Sequence, residues 1–409
     1  MAKLALNGGT PVRTRPFPSW PYWDEGEIQA LTEVVQSGVW GIDGTRVPAF
    51  EKAFAAYQGA KHGILVNSGT TALEIALKAA GIGPGDEVLV PAYTFVATAS
   101  AVLTVGATVR FVDIDPETYT LDPNELEREL TPRTRAVMPV DFSGRPADYD
   151  ALLQFARIHD LVVIEDSAQA WGSEWRGRKV GTQGLAGIFS FQSSKNITSG
   201  EGGIILTNDE HLAELARSYM NCGRVKGGIW YEHHYPGGNY RLTEFQAAVL
   251  QVQLNRYEPQ LKKREENAAY LDDHLAQIEG ISVLRADPRI TRQSRHLYIV
   301  RFQSEYFGGI RREVFLKALQ AEGIPASSGY GFPLYKQPLF VNRAFGPAGS
   351  SVDVGVDYTR YHLPASEAAC YEEAVWLDQE TLLSERSDMD DILEAFAKIR
   401  ANVDELRKK

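Results

Sequence analysis

Seven short apolar runs punctuate the first half of the chain, at residues 64–66, 88–90, 108–112, 136–140, 161–164, 187–191 and 203–206. Each is rich in Val, Ile, Leu or Phe on consecutive positions and too short for a helix. Each therefore reads as a strand buried on both faces. Stretches with helical spacing lie before and between them: 24–37 with acids in its first turn, 48–57, 70–80 stopped by Gly81, and 150–159. Buried strands alternating with helices predict an α/β fold, a mostly parallel sheet sandwiched by helices in three layers.

The pattern changes near residue 243. Residues 243–278 are helix-prone and charged with few breakers, which predicts one long connecting helix or a pair. Beyond it, 297–302 reads as a strand, and 311–322 and 388–405 read as amphipathic helices. The expected organisation is a large domain over residues 1–250 and a smaller C-terminal α+β domain over 251–409. A chain of 409 residues is long enough for two such domains.

Composition narrows the function. Hydrophobic residues at 44% and charged residues at 23% are the balance of a soluble globular protein. Acidic residues number 53 against 42 Lys plus Arg, a formal charge of −11. Nucleic acids and anionic membranes need a basic face, so neither is expected as a partner. Two cysteines, Cys222 and Cys370, cannot build a disulfide framework or a cysteine-based zinc site, and they fit a reducing compartment. No apolar stretch reaches the roughly 18 residues of a membrane span. The amino terminus meets Gly8 and Gly9 too early for a signal-peptide core, so a cytoplasmic protein is expected.

Candidate chemistry sits at the carboxyl ends of three expected strands, the edge at which open α/β sheets bind ligands. After the first run, Asn67-Ser68-Gly69-Thr70-Thr71 turns into a helix. Free amides, the helix dipole and hydroxyls there suit an anion such as phosphate, although Ser and Thr are also ordinary helix caps. After 161–164 come Glu165 and Asp166. Adjacent strand residues face opposite ways, so only one carboxylate can address a given pocket, and a paired-carboxylate acid–base site is excluded. After 187–191, Lys195 lies in a Ser/Gly-rich loop. A desolvated lysine can act as a nucleophile and form a Schiff base, whereas most lysines are solvated surface charges. Taken singly, each feature has an ordinary structural reading. Together, a phosphate cradle, an acid and a lysine on one sheet edge are the parts that pyridoxal 5'-phosphate needs.

Six motifs occur in one order: Ser68-Gly69-Thr70, Pro91-Ala92-Tyr93-Thr94-Phe95, Glu165-Asp166-Ser167-Ala168-Gln169-Ala170, residues 190–195, Gly200-Glu201-Gly202-Gly203 and Gly238-Asn239-Tyr240-Arg241-Leu242. This set resembles the DegT/DnrJ/StrS family of sugar aminotransferases, within the fold-type I pyridoxal-phosphate enzymes, over nearly the whole chain. The resemblance implies Lys195 as the Schiff-base lysine and proton carrier, and Asp166 as the partner of the pyridine nitrogen. It implies Gln169 at the ring hydroxyl, Phe95 stacked on the ring, and Gly69, Thr70 and Ser190 on the phosphate. Asn239 would reach the phosphate of a neighbouring subunit's cofactor, which implies a homodimer with shared sites. Arg241 would meet the donor carboxylate or the dimer contact.

Lys195 also discriminates within the family, since dehydratase relatives carry His at this position. The expected reaction transfers an amino group from L-glutamate or L-glutamine to a keto sugar, nucleotide-linked as in most of the family. Residues 6–13 and 241–248 resemble the branch that aminates inososes, so a ketocyclitol acceptor stands second. A dehydratase or aromatic amino-acid synthase of the same family is the remaining enzyme class. The aromatic cluster Tyr330, Phe332 and Tyr335 lines an acceptor pocket or packs a core, with Tyr330 the candidate substrate contact. His233 and His234 are adjacent and diverge on any regular element, so no metal site is expected.

Overall fold

The computed structural model describes residues 3–345 and 355–406. The apolar runs become the strands of one seven-stranded sheet: β1 (His62–Val66), β2 (Glu87–Pro91), β3 (Thr108–Val112), β4 (Thr134–Val137), β5 (Val162–Asp166), β6 (Ala186–Ser190) and β7 (Gly203–Thr207). Their order is β1-β7-β6-β5-β4-β2-β3. Pairing is parallel from β6 through β5, β4 and β2 to β3. β7 runs antiparallel to both β1 and β6. No crossover helix separates β6 from β7, so the chain returns by a loop, and that loop carries Lys195.

Successive strand residues point to opposite faces, and each face finds its own helices. On one face Ile64, Val66, Val90, Ile188 and Ile205 pack with α3 (Gly69–Ala79), α4 (Val96–Thr104) and α6 (Glu210–Met220). On the other, Leu65, Phe189 and Leu206 pack with Phe50 and Phe54 of α2 (Arg46–Gln58) and with Leu250, Tyr257 and Leu261 of α7 (Glu244–Leu275). Leu89, Val137 and Val163 meet Leu152 and Phe155 of α5 (Tyr149–Ile158) on that side. Each such side chain contributes about 1.5–3 kcal/mol on burial. The first helix, α1 (Glu25–Ser37), starts at a capping box between Asp24 and Glu27 and ends at Gly38. The sequence pattern does not single out α4, because its Ala-, Val- and Thr-rich residues show no polar face; it is a largely buried helix.

A second, three-stranded antiparallel sheet follows: β8 (Ile281–Val283), β9 (Leu297–Phe302) and β10 (Ala374–Asp378), in that order. It packs through Val300, Phe302, Phe315 and Phe396 against α8 (Arg312–Ala321) and α9 (Arg386–Ala401). α7 is one helix of 32 residues, about 48 Å long at the usual rise. It continues through Pro259 and past residue 250, and Leu271 and Leu275 near its end join the second core. Leu4 also packs in that core, and buried Arg13 pairs with Asp388 and Asp391 at 2.7 Å each. Among the described residues no helix is long and apolar enough to cross a membrane.

The start of β7 presses on the start of α3. A Cβ on Gly203 would lie 2.4 Å from the Ser68 carbonyl oxygen and 2.7 Å from the Gly69 nitrogen. Gly203→Ala is therefore expected to destabilise the fold by about 1–3 kcal/mol through overpacking, read as a lowered thermal midpoint. An unchanged midpoint would show that the two backbones separate freely.

Candidate active site

The site begins with a cap. Ser68, in extended conformation, accepts a hydrogen bond from the Thr71 amide at 3.1 Å and so starts α3 at Gly69. Helix geometry leaves the Gly69 and Thr70 amides without an acceptor inside the helix. Ser190, at the end of β6, sits beside them: a Cβ on Gly69 would lie 2.8 Å from the Ser190 Cβ. Glycine thus lets amides and hydroxyls converge on one concave spot, the environment that binds phosphate.

Asp166 ends β5 and is 4% exposed. Its Oδ2 accepts from the Thr98 hydroxyl of α4 at 2.8 Å and its Oδ1 from the Ala168 amide at 3.2 Å. Burial pushes its carboxyl above the ordinary value, while Thr98, Ala168 and the Lys195 ammonium oppose that shift. Glu165 turns the other way, as strand alternation requires, and accepts from the amides of Gly181 at 2.6 Å and Gly184 at 2.7 Å. Lys195 follows a turn in which its amide bonds the Gln192 carbonyl at 2.9 Å. Burial pushes the Lys195 amine down to about 8, with the Asp166 charge opposing.

These groups meet in a cavity of about 800 Å³. It brings together Gly69, Thr70, Phe95, Asp166, Gln169, Ser190, Lys195 and Tyr330. Phe95 is 59% exposed on its wall, an aromatic face without cover. Gln169 is anchored by the Ser143 amide, which donates to Oε1 at 2.7 Å, and its side chain also bonds Tyr330. Burial raises the Tyr330 hydroxyl, whose ring meets Trp376 edge-on at 4.9 Å. Asn239 and Arg241 lie elsewhere. Asn239 is exposed and bridges to Asn221, and Arg241 donates to Asn221 Oδ1 at 2.8 Å. Neither lines the cavity.

Several cavity residues have no sequence expectation, Thr98 and His296 among them. Thr98, which steadies Asp166, lies one helical turn past Thr94, and their hydroxyls are 3.1 Å apart. That spacing is the one signal that could have found it. His296 comes from the loop before β9, and its Nδ1 lies 2.9 Å from Asn196 Oδ1. Burial, and then the Lys195 charge, hold its pKa well below the usual range, so the ring is neutral. No local pattern marks it, because its partner is 100 residues away. Among the described residues no group of three or more His, Cys, Asp or Glu could hold a metal ion. A convergent amide cradle, a hydrogen-bonded acid and a lysine of lowered pKa can bind a phosphorylated aldehyde cofactor and move protons beside it.

Comparisons with known proteins place the chain among aminotransferases. The model of the DegT/DnrJ/EryC1/StrS aminotransferase family matches residues 21–378. The chain is 43% identical to a protein of Streptoalloteichus tenebrarius provisionally named an L-glutamine:3-amino-2,3-dideoxy-scyllo-inosose aminotransferase, over 99% of this chain and 100% of that one. It is 39% identical to the L-glutamine:2-deoxy-scyllo-inosose aminotransferase of the same organism, over 99% of each. The crystal structure of 3-amino-5-hydroxybenzoic acid synthase superposes with a TM-score of 0.85 at 34% identity, covering 95% of this chain and 98% of that one.

The lowered Lys195 pKa has a direct consequence. A lysine displaced downward loses its proton at lower pH, so Lys195 is the neutral amine above about 8. In cofactor-free protein, trapping of Lys195 by an aldehyde and borohydride is expected to rise through about pH 8 and level off above it. A rate still climbing near pH 10, as for an ordinary lysine of pKa ~10.4, would contradict the burial argument.

Proposed function

The chain belongs to the DegT/DnrJ/EryC1/StrS aminotransferase family, and we propose that it transfers an amino group from L-glutamine to a ketocyclitol of the inosose class, with pyridoxal phosphate as cofactor. The observation that carries the reading is one cavity joining the start of α3, the buried Asp166 and Lys195. The residues fit the cofactor. The Gly69 cradle is a space that a Cβ would fill, and it would take the phosphate with Thr70 and Ser190. When bound, pyridoxal phosphate supplies an electron sink for a carbanion at the amino-bearing carbon. Asp166, oriented by Thr98, would pair with the ring nitrogen. Phe95 would cover the ring face and Gln169 would meet its hydroxyl. Lys195 would hold the group's aldehyde and, as a free amine, would take and return the proton at the substrate Cα. Its pKa of about 8 leaves a useful fraction able to take that proton near neutrality.

The acceptor assignment moves the ketocyclitol ahead of the nucleotide-linked keto sugar expected first from the sequence. The curated relatives act, by their names, on inososes. The charge of the cavity agrees: Asp166, Glu201, Asp378 and Glu380 line it, against Lys195 as its sole described Lys or Arg. A dianionic diphosphate would enter beside the cofactor's own phosphate against those acids, whereas an uncharged or cationic cyclitol meets no such repulsion. We further propose a cytoplasmic homodimer with shared sites, with Tyr330 at the acceptor. Asn239 is exposed and does not line its own cavity, and Ile229, Trp230 and Tyr231 nearby are each 76% exposed. Asn239 would serve the partner's phosphate, with Arg241 supporting that surface.

Two measurements test the reading. Adding L-glutamine to holoenzyme is expected to abolish its visible cofactor absorbance, and adding 2-deoxy-scyllo-inosose to restore it with release of an aminated cyclitol. Amination of a nucleotide-linked keto sugar but of no inosose would overturn the acceptor; a deoxygenated or aromatised product would overturn amino transfer. Lys195→Ala is expected to lower turnover by at least about 10²–10⁴-fold, and near-native turnover would remove Lys195 from the chemistry.

A further inference from the structure

His296 lines the cavity, yet the chemistry above gives it no part. It is the last residue before β9, and its amide donates to the Ser143 carbonyl at 2.9 Å. The Ser143 amide in turn holds Gln169. On the other side the His296 ring meets Asn196, the neighbour of Lys195, at 2.9 Å. Trp171 packs against the ring with the two planes 72° apart. The imidazole is therefore clamped between the Gln169 segment and the Lys195 loop.

The tautomer of that ring follows from its partners. The Asn196 amide nitrogen donates to the Ser294 carbonyl at 3.0 Å. A carbonyl only accepts, so the NH₂ group must face Ser294 and the amide oxygen must face His296. Nδ1 therefore carries the hydrogen of its bond to Asn196, and Nε2 keeps a bare lone pair. Asn196 and Ser294 are both buried, so this orientation is fixed inside the protein. A second proton would set an imidazolium against the charges of Lys195 and Arg264, both felt at the ring. His296 is thus held as an acceptor. Among the described residues Nε2 makes no hydrogen bond, and it is not sealed off from the cavity that the ring lines. Lys195 Nζ, at the end of a flexible four-carbon stem in the same cavity, also has no hydrogen-bond partner among them. An ammonium has donors to place, and the imidazole has an acceptor to fill.

We propose that His296 Nε2 accepts a hydrogen bond from the Lys195 ammonium, so that it receives the lysine when the donor displaces it and steadies the proton that Lys195 carries at the substrate Cα. This rests on the reading of Lys195 as the Schiff-base lysine and deepens it. The proton passes from Cα to Nζ and back, and none is transferred to the ring. Asn196 is a positioning residue that acts by fixing the tautomer of His296.

Two substitutions separate the acceptor from the scaffold. His296→Asn keeps an amide donor where Nδ1 meets Asn196 and removes Nε2. His296→Gln places an amide oxygen near the position of Nε2 and gives up the Nδ1 contact. In cofactor-free protein, Lys195 is trapped with formaldehyde and borohydride across a pH series, and the modified lysine is located by peptide mass. A hydrogen bond to the ammonium favours its charged form, so losing it in His296→Asn is expected to lower the trapping midpoint by about one pH unit. His296→Gln is expected to keep the midpoint of the unaltered protein. Asp166, Arg264, Glu201, Tyr330, Asp378 and Glu380, the other titratable groups around the pair, are the same in every protein compared. In holoenzyme mixed with L-glutamine, loss of the visible absorbance is expected to slow about tenfold in His296→Asn and to recover in His296→Gln. An unchanged or raised midpoint in His296→Asn, or an equal fall in both variants, overturns the acceptor role and leaves the Lys195 reading standing. No response of unaltered holoenzyme to L-glutamine overturns both.

Discussion

An acid and a lysine of opposite charge share one desolvated cavity at the end of the central sheet, and the surrounding structure holds them there. Burial alone would neutralise both: it drives the Asp166 carboxyl up and the Lys195 amine down. Each charge partly offsets the shift of the other. The Thr98 hydroxyl and the Ala168 amide add hydrogen bonds that favour the ionised carboxylate. The arrangement requires β5 and α4 in contact beneath the acid and the β6–β7 loop folded over the cavity. The antiparallel return of β7 is what leaves that loop, rather than a crossover helix, at the ligand-binding edge.

The second sheet closes the other side. Its strand β9 is entered through His296, which bonds the residue next to Lys195, and its strand β10 delivers Trp376 and the acids beyond it. Tyr93, Phe142, Tyr330 and Trp376 meet edge-to-face or tilted at 4.9–6.3 Å between the two sheets, giving a stiff apolar wall. α7 ties the parts together, because one continuous helix contributes Leu250 to the sheet core and Leu275 to the second core. Its buried Arg264 feels the charge of Glu380 and donates to Gln379. A buried cation of this kind costs stability unless it is hydrogen-bonded, which fits a role in fixing a neighbour rather than in adding stability.

Much of this was legible in the residues. The strands of the central sheet follow from apolar runs that are largely buried, and the end of α3 from Gly81. The assignment of one acid to the pocket followed from strand alternation, and Asp166 and Glu165 do face opposite ways. The cradle was legible as a glycine and hydroxyls opening a helix. The elements that escaped lack a periodic signal. α4 has no polar face, and β8 is three residues long. The connecting stretch admitted one helix or two, and Pro259 does not break it.

The sequence by itself determined the local elements, the sheet edge that carries the chemistry and the residue types gathered there, because period, capping and turn residues act over a few positions. Only the tertiary structure decided which distant groups complete the cavity. Thr98 reaches Asp166 across 68 positions, His296 reaches Asn196 across 100, and Arg264 sets Gln379 across 115. It also decided that Asn239 and Arg241 stand outside their own cavity, and that four acids face a single lysine within it. Burial and charge balance are sums over the whole packed chain, and no spacing along the sequence contains them.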